Sequence, residues 1–382
     1  MSEPIRVLQG IVANDKGGLT GYICQNYRYI DKNKIQFDFI TYDNALDFQE
    51  EFEGMGAKFY RLPRAFHIID YYFAMRKIQK KMHYEIVHYN MSYANIIPLV
   101  IAKLVGIKII IIHSHSTQID SKNIFVRKLK ECFHSVFKNI IPLVANDFLA
   151  CSTEAAKWMF PKSIVNKRQY CICHNAINTE KFAFNENKRK SKRSELMIKD
   201  NTLVIGHVGR FSYQKNHEFL LKVFYELQTY QHNSLLMLVG SGENEDAIKK
   251  LAESMNLGNV LFLGQRDDVP ELMQAMDVFL LPSRFEGLSL VGIEAQCCGL
   301  PCIFSDVITR EIGITPLAKF ISLDMACNWK QEIINISKRE HERKDLENEI
   351  SNAGYCIECE IKNMEVLYKK AWKQNVKCTL HN

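Results

Sequence analysis

The chain has 382 residues, which is too long for one ordinary hydrophobic core and suits two domains of about 150 to 200 residues each. Hydrophobic residues make up 47% and charged residues 24%, proportions that exclude disordered and fibrous classes. The formal net charge of +6 favours an anionic ligand or a membrane surface as partner. Because no compact basic motif or RNA-binding aromatic stripe occurs, no nucleic-acid partner is expected.

The N-terminal segment MSEPIRVLQG lacks a basic region followed by a long apolar stretch, and no apolar run approaches the ~18 residues of a membrane span. We therefore expect a cytoplasmic protein. The twelve cysteines are then expected to be small core residues with free thiols. Cys356 and Cys359 form a CxxC pair, but no second pair at metal-ligand spacing accompanies it, so structural cysteines are the better interpretation.

Short apolar runs alternate along the chain with segments of helical periodicity. The first predicted strands are IRVLQGIVA, IQFDFIT, KFYRL, EIVHY, IKIIII, FLACS and QYCICHN, and the helices among them include Leu19 to Ile30, Ile68 to Met82, Ile96 to Val105 and Phe125 to Phe137. A second series follows, with strands NTLVIGHVG, SLLMLVG, NVLFLG, VFLLP and PCIFSD separated by helices. Strands that alternate with crossover helices predict an α/β fold with two doubly wound parallel sheets.

The segment from Asn185 to Asn201 reads NENKRKSKRSELMIKDN and has few large apolar residues, so it is expected to be a poor core element. We place the domain boundary there. The end of the chain, roughly Glu332 to Gln374, is predicted to be helical without a strand. The prediction is therefore a first domain over residues 1–185, a second over 201–355, and a C-terminal helix over 356–382.

Parallel sheets bind ligands at the carboxyl ends of their strands, so functional residues are expected in the loops that follow strands. After the first strand, NDKGGLTG places Gly17 and Gly18 where a helix begins and a backbone can approach phosphate. The full GxGxxG spacing is absent, so a tight turn is the alternative. In the second domain, GRFSYQKNHEFL places Arg210 and Lys215 on one loop, which suits a pyrophosphate; a solvated charged loop is the alternative.

The stretch FEGLSLVGIEAQCCGLP follows the apolar run VFLLP and contains two glutamates eight residues apart. Glu286 lies in a tight turn, and Glu294 lies on the helix that follows. A carboxylate buried without partners costs several kcal/mol, so Glu294 needs hydrogen-bond donors such as the vicinal hydroxyls of a ribose. Pairing with a neighbouring Arg or Lys is the alternative. Glu286 can accept from hydroxyls of a second sugar, while the turn amides face a phosphate.

The run IIIIHSHST places His113 and His115, with Ser114 and Ser116, at the carboxyl end of a buried strand. One histidine there could be a core residue with a satisfied hydrogen bond, whereas two with flanking serines favour a polar site. Their spacing also permits a metal site. No carboxylate or cysteine lies nearby in sequence to complete a ligand set, so no metal is predicted.

These motifs together resemble the family 4 retaining glycosyltransferases, particularly those of bacterial exopolysaccharide and capsule assembly. The resemblance rests on GRFSYQKNHEFLL, on the run from LVGSGENEDAIKK to GLPCIFSD, on HSHS and on ACSTEAAKWMF, and it spans nearly the whole chain. It implies the GT-B fold, in which two Rossmann-like domains face a cleft and the C-terminal helix crosses back to the first domain. It also implies a hexosyltransferase that uses a nucleotide-sugar donor, with a UDP-sugar favoured.

The resemblance assigns a role to each candidate residue of the second domain. Arg210 and Lys215 would hold the donor diphosphate, and Glu294 would hold the ribose. Glu286 would bind hydroxyls of the donor sugar, with the backbone of Gly287, Leu288, Ser289 and Leu290 alongside.

In the first domain, Gly17 and Gly18 would close over the phosphates, and His113 would contact the donor sugar near the reacting carbon. The predicted catalytic group is therefore His113 with Glu286, Arg210 and Lys215. His115 and Asn175 are further candidates. The chain departs from the family at residues 173–176, where CHNA replaces the common Pro-Asn-Gly.

Departure of a nucleoside diphosphate builds charge on the β-phosphate, which cations and a helix terminus can stabilise without a metal or another cofactor. No D-x-D occurs, which disfavours a metal-bridged donor. Two alternatives stay open. A nucleotide-sugar 2-epimerase of the same fold would need further acid and base groups around the sugar, and a non-catalytic nucleotide-sugar-binding subunit would be expected to lose some cations or glutamates.

Two segments of the first domain, FYRLPRAFHIIDYYFAMRKIQKKMHY and KNIFVRKLKECFHSVFKNII, mix basic and apolar residues at near-helical spacing. Such faces suit an anionic bilayer, so we expect reversible docking on the inner membrane leaflet and a saccharide or lipid-linked saccharide acceptor. Ordinary crossover helices, with one buried and one solvated face, are the alternative.

Overall fold

The structure is a computed structural model that describes residues 3–14, 18–121, 123–338 and 343–379, with side chains as far as residue 374. The chain divides into two compact units. The first contains Met1–Ile119, Asn123–Asn175 and Ile357–Asn382, and the second contains Asp120–Lys122 and Ala176–Cys356. Each unit is built on one parallel β-sheet.

The first sheet has seven strands. They are β1 (Ile5–Val12), β2 (Ile35–Thr41), β3 (Phe59–Arg61), β4 (Ile86–Met91), β5 (Ile109–Ser114), β6 (Asp147–Ala150) and β7 (Cys171–Ile172). Their order is β3-β2-β1-β4-β5-β6-β7, and every pairing is parallel. Strands β2, β4 and β5 are buried along their whole length, as is usual in parallel sheets covered on both faces. Strand β5 begins with four isoleucines, whereas β2 and β4 also bury polar side chains such as Asp38 and Asn90.

The second sheet has six strands. They are β8 (Leu203–Val208), β9 (Ser234–Val239), β10 (Val260–Phe262), β11 (Val278–Leu281), β12 (Cys302–Ser305) and β13 (Ala318–Ile321), in the parallel order β10-β9-β8-β11-β12-β13. Two doubly wound parallel sheets confirm the predicted α/β fold class. The sequence pattern missed β13 because this edge strand has four residues and no fully buried side chain.

Helices connect the strands. Those up to β7 are α1 (Gly18–Tyr29), α2 (Gln49–Gly54), α3 (Ile68–Met82), α4 (Ile96–Leu104), α5 (Ile124–Ile140), α6 (Thr153–Met159) and α7 (Lys162–Asn166). Those of the second unit are α8 (Thr179–Phe182), α9 (Glu186–Glu195), α10 (His217–Gln228), α11 (Glu245–Ser254), α12 (Val269–Ala275), α13 (Leu290–Cys297), α14 (Ala326–Ser337) and α15 (Glu347–Ile350). The last helix is α16 (Ile357–Thr379). In the described parts of the chain, no helix has the length and hydropathy needed to cross a bilayer.

The charged segment that was expected to be a poor core element forms α9, whose buried residues are the cations Lys192 and Arg193, and it packs on α12 within the second unit. Arg193 is buried and donates hydrogen bonds to the carbonyl of Ala275 at 2.9 Å and to Asp277 at 3.3 Å. Arg189 also pairs with Asp277. Because these cations satisfy free groups at the end of α12, the helix packs without large apolar side chains.

The last helix, α16, belongs to the first unit and packs on α1, as the resemblance to GT-B proteins implies. The hydroxyl of Tyr368 accepts a hydrogen bond from Gln9 of β1 at 3.0 Å. The ring of Tyr368 meets Phe37 of β2 edge to face. The C-terminal helix therefore completes the core beneath the first two strands.

In each sheet the strand order reverses at one place, between β1 and β4 in the first and between β8 and β11 in the second. Parallel sheets open a crevice at the carboxyl ends of the strands beside such a reversal. The loops that follow β8 and β11 are therefore the first place to look for a ligand site in the second unit.

Candidate active site

Two loops flank the reversal of the second sheet: one joins β8 to α10, and the other joins β11 to α13. The backbone amide of Arg284 donates to the carbonyl of Gln214 at 2.8 Å. The side chain of Asn216 donates to the carbonyl of Pro282 at 3.2 Å. Hydrogen bonds at both ends therefore hold the two loops together.

Lys215 and Glu286 form the centre of this pair of loops. The Nζ atom of Lys215 lies 2.7 Å from Oε1 of Glu286, and both side chains are nearly buried, with 14% and 8% of their surface exposed. Gln214 donates to the other carboxylate oxygen of Glu286 at 3.0 Å and to the carbonyl of Phe285 at 2.9 Å. Glu286 is thus held by a cation and an amide, and the structure brings together two residues that the sequence assigned to different parts of a ligand.

Arg210 lies on the same loop as Lys215 but is far more exposed. Its guanidinium pairs with Glu243 at 3.1 Å, and half of each side chain is open to solvent. Such an exposed ion pair contributes about 0 to 1 kcal/mol. Arg210 can therefore exchange Glu243 for a better anion, whereas Lys215 is tied to Glu286.

Two glycines after β9, which the sequence analysis did not single out, position the Arg210 loop. The amide of Phe211 donates to the carbonyl of Ser241 at 3.0 Å, so the loop backbones lie in direct contact. A Cβ on Gly242 would come within 2.7 Å of the Phe211 carbonyl oxygen. Gly240 has a φ of +133°, which strongly favours glycine. The Gly-Ser-Gly sequence directly after an apolar strand was the signal for this contact.

Glu294 lies in the middle of α13, as predicted. Burial raises the pKa of its carboxyl to about 7, and the charge of Lys215 opposes the shift only partly. Within the described ranges its side chain makes no hydrogen bond and no ion pair, so the alternative of a neighbouring Arg or Lys partner is not found there. The residue is half-buried, and among the described residues no protein donor satisfies its carboxylate.

The turn from Gly287 to Ser289 is buried and leads into α13, which begins at Leu290. Ser289 occupies the N-cap position, but its side chain accepts no hydrogen bond from the first turn. Helix N-termini carry partial positive charge and backbone amides that bind anions. The turn, the helix terminus and the two cations therefore place several anion-binding groups on the two loops.

The first unit holds a second polar cluster, at the end of β5. The rings of His113 and His115 lie 4.0 Å apart, and His88 stacks on His113 at 5.5 Å. Burial lowers the pKa of His113 far below its usual value and the pKa values of His88 and His115 to about 3, with neighbouring imidazoles adding to the shifts of His113 and His115. A side-chain hydrogen bond between His115 and Asn175 opposes the shift of the His115 pKa. His113 is fully buried, whereas His115 keeps partial exposure.

The glycine loop after β1 is only partly described. Gly18 is the first residue of α1, and a Cβ built there would meet no atom within 4 Å, so packing does not require the glycine. The prediction for Gly17 falls outside the described residues. Across the described ranges, no three His, Cys, Asp or Glu side chains gather as a metal site, and the cysteines identified there are free.

A Rossmann-like parallel sheet with two cations and two carboxylates beside its strand reversal belongs to the nucleotide-binding α/β class. The family model of Glycosyl transferases group 1 matches residues 188–312. The EpsF protein of Bacillus subtilis, which is named as a glycosyltransferase, is 30% identical over 358 residues, 92% of each chain. The chain therefore belongs to the group 1 glycosyltransferases, enzymes that build glycans, as the resemblance to family 4 predicted.

Two further comparisons extend this result. Over 242 residues, 61% of each chain, the protein is 31% identical to the UDP-Gal:alpha-D-GlcNAc-diphosphoundecaprenol alpha-1,3-galactosyltransferase of Escherichia coli. The fold is similar to that of Anabaena Alr3699/HepE in complex with UDP-glucose, with a TM-score of 0.77 and 15% identity over 96% of this chain and 99% of that chain. This likeness confirms the GT-B fold.

Proposed function

We propose that the protein is a retaining, metal-independent hexosyltransferase that moves a sugar from a nucleoside-diphosphate donor, with a UDP-sugar favoured, to an acceptor in cell-surface polysaccharide synthesis. The observation that carries the proposal is the pairing of Lys215 with Glu286 between the two loops at the strand reversal, where the charge of Lys215 also acts on the carboxyl of Glu294. This arrangement supplies charge for a diphosphate and acceptors for sugar hydroxyls in one place.

The diphosphate of the donor binds Lys215 and Arg210. When the bond from the anomeric carbon to the phosphate oxygen breaks, negative charge develops on the β-phosphate, and these two cations stabilise it. Arg210 reaches the diphosphate by exchanging its exposed partner Glu243, since that ion pair is weak. Amides at the start of α13 add to the same stabilisation.

The two glutamates act on hydroxyl groups. Glu294 accepts hydrogen bonds from the ribose, whose vicinal hydroxyls supply the donors that its half-buried carboxylate lacks. Glu286 accepts from hydroxyls of the donor sugar, and Lys215 with Gln214 fixes its carboxylate in position.

The transfer step retains the anomeric configuration. The acceptor hydroxyl attacks the anomeric carbon from the face that the diphosphate leaves, a carbon–oxygen bond forms as the other breaks, and the departing phosphate takes the acceptor proton. No protein nucleophile is needed. Burial lowers the pKa values of His113 and His115 and so favours their neutral forms, and in this proposal they orient the donor sugar without carrying charge.

The relatives support the choice of donor and acceptor. The Escherichia coli relative is named for a UDP-Gal donor and a diphosphoundecaprenol-linked acceptor. By analogy, we assign this chain a UDP-sugar and a saccharide or lipid-linked saccharide. The likeness to relatives that are named as transferases favours transfer over 2-epimerisation or a purely binding role.

A lipid-linked acceptor is consistent with the surface of the first unit, which we propose docks on the inner leaflet of the membrane. One face of α5 exposes an apolar stripe at spacings of three and four residues: Phe125, Leu129, Phe133 and Val136. On α3, exposed Ile69 and Phe73 precede a basic cluster formed by Arg76, Lys77, Lys80 and Lys81. Exposed apolar side chains beside basic ones are the composition of a surface that binds anionic lipid.

A donor panel with released nucleotide as the readout tests the proposal. The protein is incubated with UDP- and GDP-sugars, with and without lipid-linked and free saccharide acceptors, in parallel with and without EDTA. We expect nucleotide release that depends on acceptor, is greatest with a UDP-sugar and persists in EDTA. Release of nucleotide without acceptor would support the epimerase alternative, and loss of activity in EDTA that a divalent ion restores would contradict the metal-independent mechanism.

A further inference from the structure

A chain of buried polar side chains connects the C-terminal helix to the histidine pair of the first unit. Gln9 donates to the hydroxyl of Tyr368 at 3.0 Å, and Asn90 donates to the side-chain oxygen of Gln9 at 3.1 Å. The Oδ1 atom of Asn90 lies 3.0 Å from Nε2 of His115, and the Tyr368 hydroxyl lies 2.6 Å from Nδ1 of His88. All of these side chains except His115 are almost completely buried.

Every hydrogen bond in this chain of side chains is donated in the same direction, from His115 towards Tyr368 and His88. The Oδ1 atom of Asn90 can only accept, so Nε2 of His115 carries the proton. The oxygen of Tyr368 accepts from Gln9, so its single hydrogen is donated to Nδ1 of His88. The side-chain amides of Gln9 and Asn90 each accept a hydrogen bond through the oxygen and donate one through the nitrogen. Flipping one amide alone would therefore place two donors or two acceptors against each other.

Burial lowers the pKa values of His88 and His115 to about 3, which favours the neutral imidazoles near neutral pH. A neutral imidazole has one donor and one acceptor nitrogen, and the hydrogen bond at one nitrogen decides the character of the other. The chain therefore controls the tautomer of His115 and not its charge.

We propose that Tyr368 is a positioning residue of the transfer site: through Gln9 and Asn90 it fixes the proton of His115 on Nε2 and the plane of its ring. The centroid of the His115 ring lies 4.0 Å from that of His113, with the rings tilted by 39°, so the orientation of one constrains the other. The inference rests on the proposed role of this histidine pair in orienting the donor sugar. It adds to that role a residue of the C-terminal helix that contacts no substrate.

The substitution Tyr368→Phe isolates the hydrogen bond from the packing. The phenyl ring keeps the edge-to-face contacts with Phe37 and His88. Loss of the oxygen leaves the amide of Gln9 without its acceptor, so the amides are free to reverse and His115 can populate both tautomers. Tyr89→Phe is the matched control, because Tyr89 is a buried tyrosine of β4 whose hydroxyl donates to Pro98 at 3.3 Å, outside the chain.

Steady-state transfer kinetics provide the first readout. We expect Tyr368→Phe to lower kcat by roughly tenfold, the rate equivalent of about one buried hydrogen bond, with little change in KM for the donor. Tyr89→Phe is expected to keep the parent kcat. Gln9→Met removes an inner link, and Tyr368→Phe combined with Gln9→Met is expected to be no slower than the slower single variant, because both break one chain. Losses that multiply in the double variant, or that follow the loss of thermal stability, would overturn the inference in favour of a structural role.

The second readout is independent of catalysis. In protein labelled with ¹⁵N-histidine, the ring signals of His115 are identified by their disappearance in His115→Gln, and they report which nitrogen carries the proton. We expect an Nε2-protonated ring in the parent and in Tyr89→Phe, and signals displaced toward the tautomeric average in Tyr368→Phe. An unchanged His115 signal in Tyr368→Phe would overturn the inference, whether or not the parent protein transfers sugar.

The two readouts separate this inference from the function on which it rests. A parent protein that transfers no sugar, with His115 signals that still depend on Tyr368, would overturn the proposed function and support the control of His115 by Tyr368. An active parent, with Tyr368→Phe equal to it in kcat and in the His115 signals, would overturn the positioning role alone.

Discussion

Lys215 and Glu286 lie 71 residues apart in sequence, and their side chains meet at 2.7 Å between the loops that follow β8 and β11. One cation therefore neutralises a nearly buried carboxylate and lies where a diphosphate is proposed to bind. The charge of Lys215 therefore stabilises the folded protein and, in the proposed function, also binds the diphosphate. Arg210 differs, because its partner Glu243 is half exposed.

Removal of either cation should slow the reaction. We expect Lys215→Ala and Arg210→Ala each to lower turnover at saturating donor by about a hundredfold, the usual scale for one preorganised contact to a developing anion. Only Lys215→Ala should also lower the melting temperature, because it leaves Glu286 buried without its cation. Lys250→Ala, which removes an exposed lysine of α11, is the control. Near-normal rates in both site variants would remove the diphosphate assignment.

Glu294 should release protons when nucleotide binds. Its raised pKa of about 7 means that a substantial fraction is protonated in the free protein near neutral pH. Ribose hydroxyls that donate to the carboxylate favour its ionised form, lower its pKa and expel that proton. Calorimetry of UDP binding at pH 7 in buffers of different ionisation enthalpy measures the release.

The variant Glu294→Gln should bind UDP more weakly and release none of these protons, while Glu253→Gln, at an exposed position of α11, should behave as the parent. Tight binding with unchanged proton release in Glu294→Gln would mark that carboxylate as structural.

Glu286→Gln should affect the reaction more than the binding of free nucleotide. A glutamine supplies one acceptor oxygen where the carboxylate supplies two, so either Lys215 or Gln214 loses its partner. We expect kcat to fall by roughly tenfold or more, the value of one charge-assisted hydrogen bond, and UDP affinity to change much less. A variant that loses UDP affinity but retains kcat would show that Glu286 acts on the nucleotide and not on the sugar.

The contact between the loops after β8 and β9 can be tested with one methyl group. In Gly242→Ala the new Cβ would lie 2.7 Å from the carbonyl oxygen of Phe211, so the Arg210 loop must move. We expect a loss of about 1 to 3 kcal/mol in the free energy of unfolding, together with weaker UDP binding. Gly258→Ala places a methyl where no atom lies within 4 Å, and it should change neither quantity. If both variants bind UDP with equal affinity, the contact between the two loops does not position Arg210 for the nucleotide.

Vesicle sedimentation tests the docking surface of the first unit. Each basic residue near an anionic surface adds about 1 kcal/mol, so the protein should pellet with anionic but not neutral vesicles, and less at high salt. Charge reversal at Arg76, Lys77, Lys80 and Lys81 should release it, whereas reversal at two exposed lysines of α9, Lys188 and Lys190, should not. Equal binding to both vesicle types, or to neither, would favour a soluble acceptor.

Much of the fold was predictable, because strands buried between helices are written as apolar runs and the helices between them keep their period. Two elements were not predictable on that basis. Strand β13 is short and only partly buried, so its sequence AKFI carries little signal. Helix α9 packs through cations such as Arg193, whose partners are backbone carbonyls that no pattern in the sequence reveals.

The candidate site was predictable in part. The rule that function follows the strands of a parallel sheet pointed to the loops of Arg210, Lys215 and Glu286, and these loops do lie together. The sequence does not predict the ion pair between Lys215 and Glu286, because its pattern assigns Lys215 to the diphosphate and Glu286 to the donor sugar. The link from His115 to Tyr368 was beyond sequence reasoning, since side chains from two separate strands join the end of β5 to a distant helix.

The hydrogen bond between Gln9 and Tyr368 joins residues that are 359 positions apart. During translation the strands of the first sheet emerge before the second unit, whereas α16, which belongs to the same unit as that sheet, emerges after it. The second unit is continuous from Ala176 to Cys356, apart from three residues, and is therefore delivered complete before the first unit can close. The synthesis of the first unit begins before that of the second, but the first unit is complete only when α16 has emerged. Until then, the polar groups of β1 and β4 that contact α16 lack their hydrogen-bond partner.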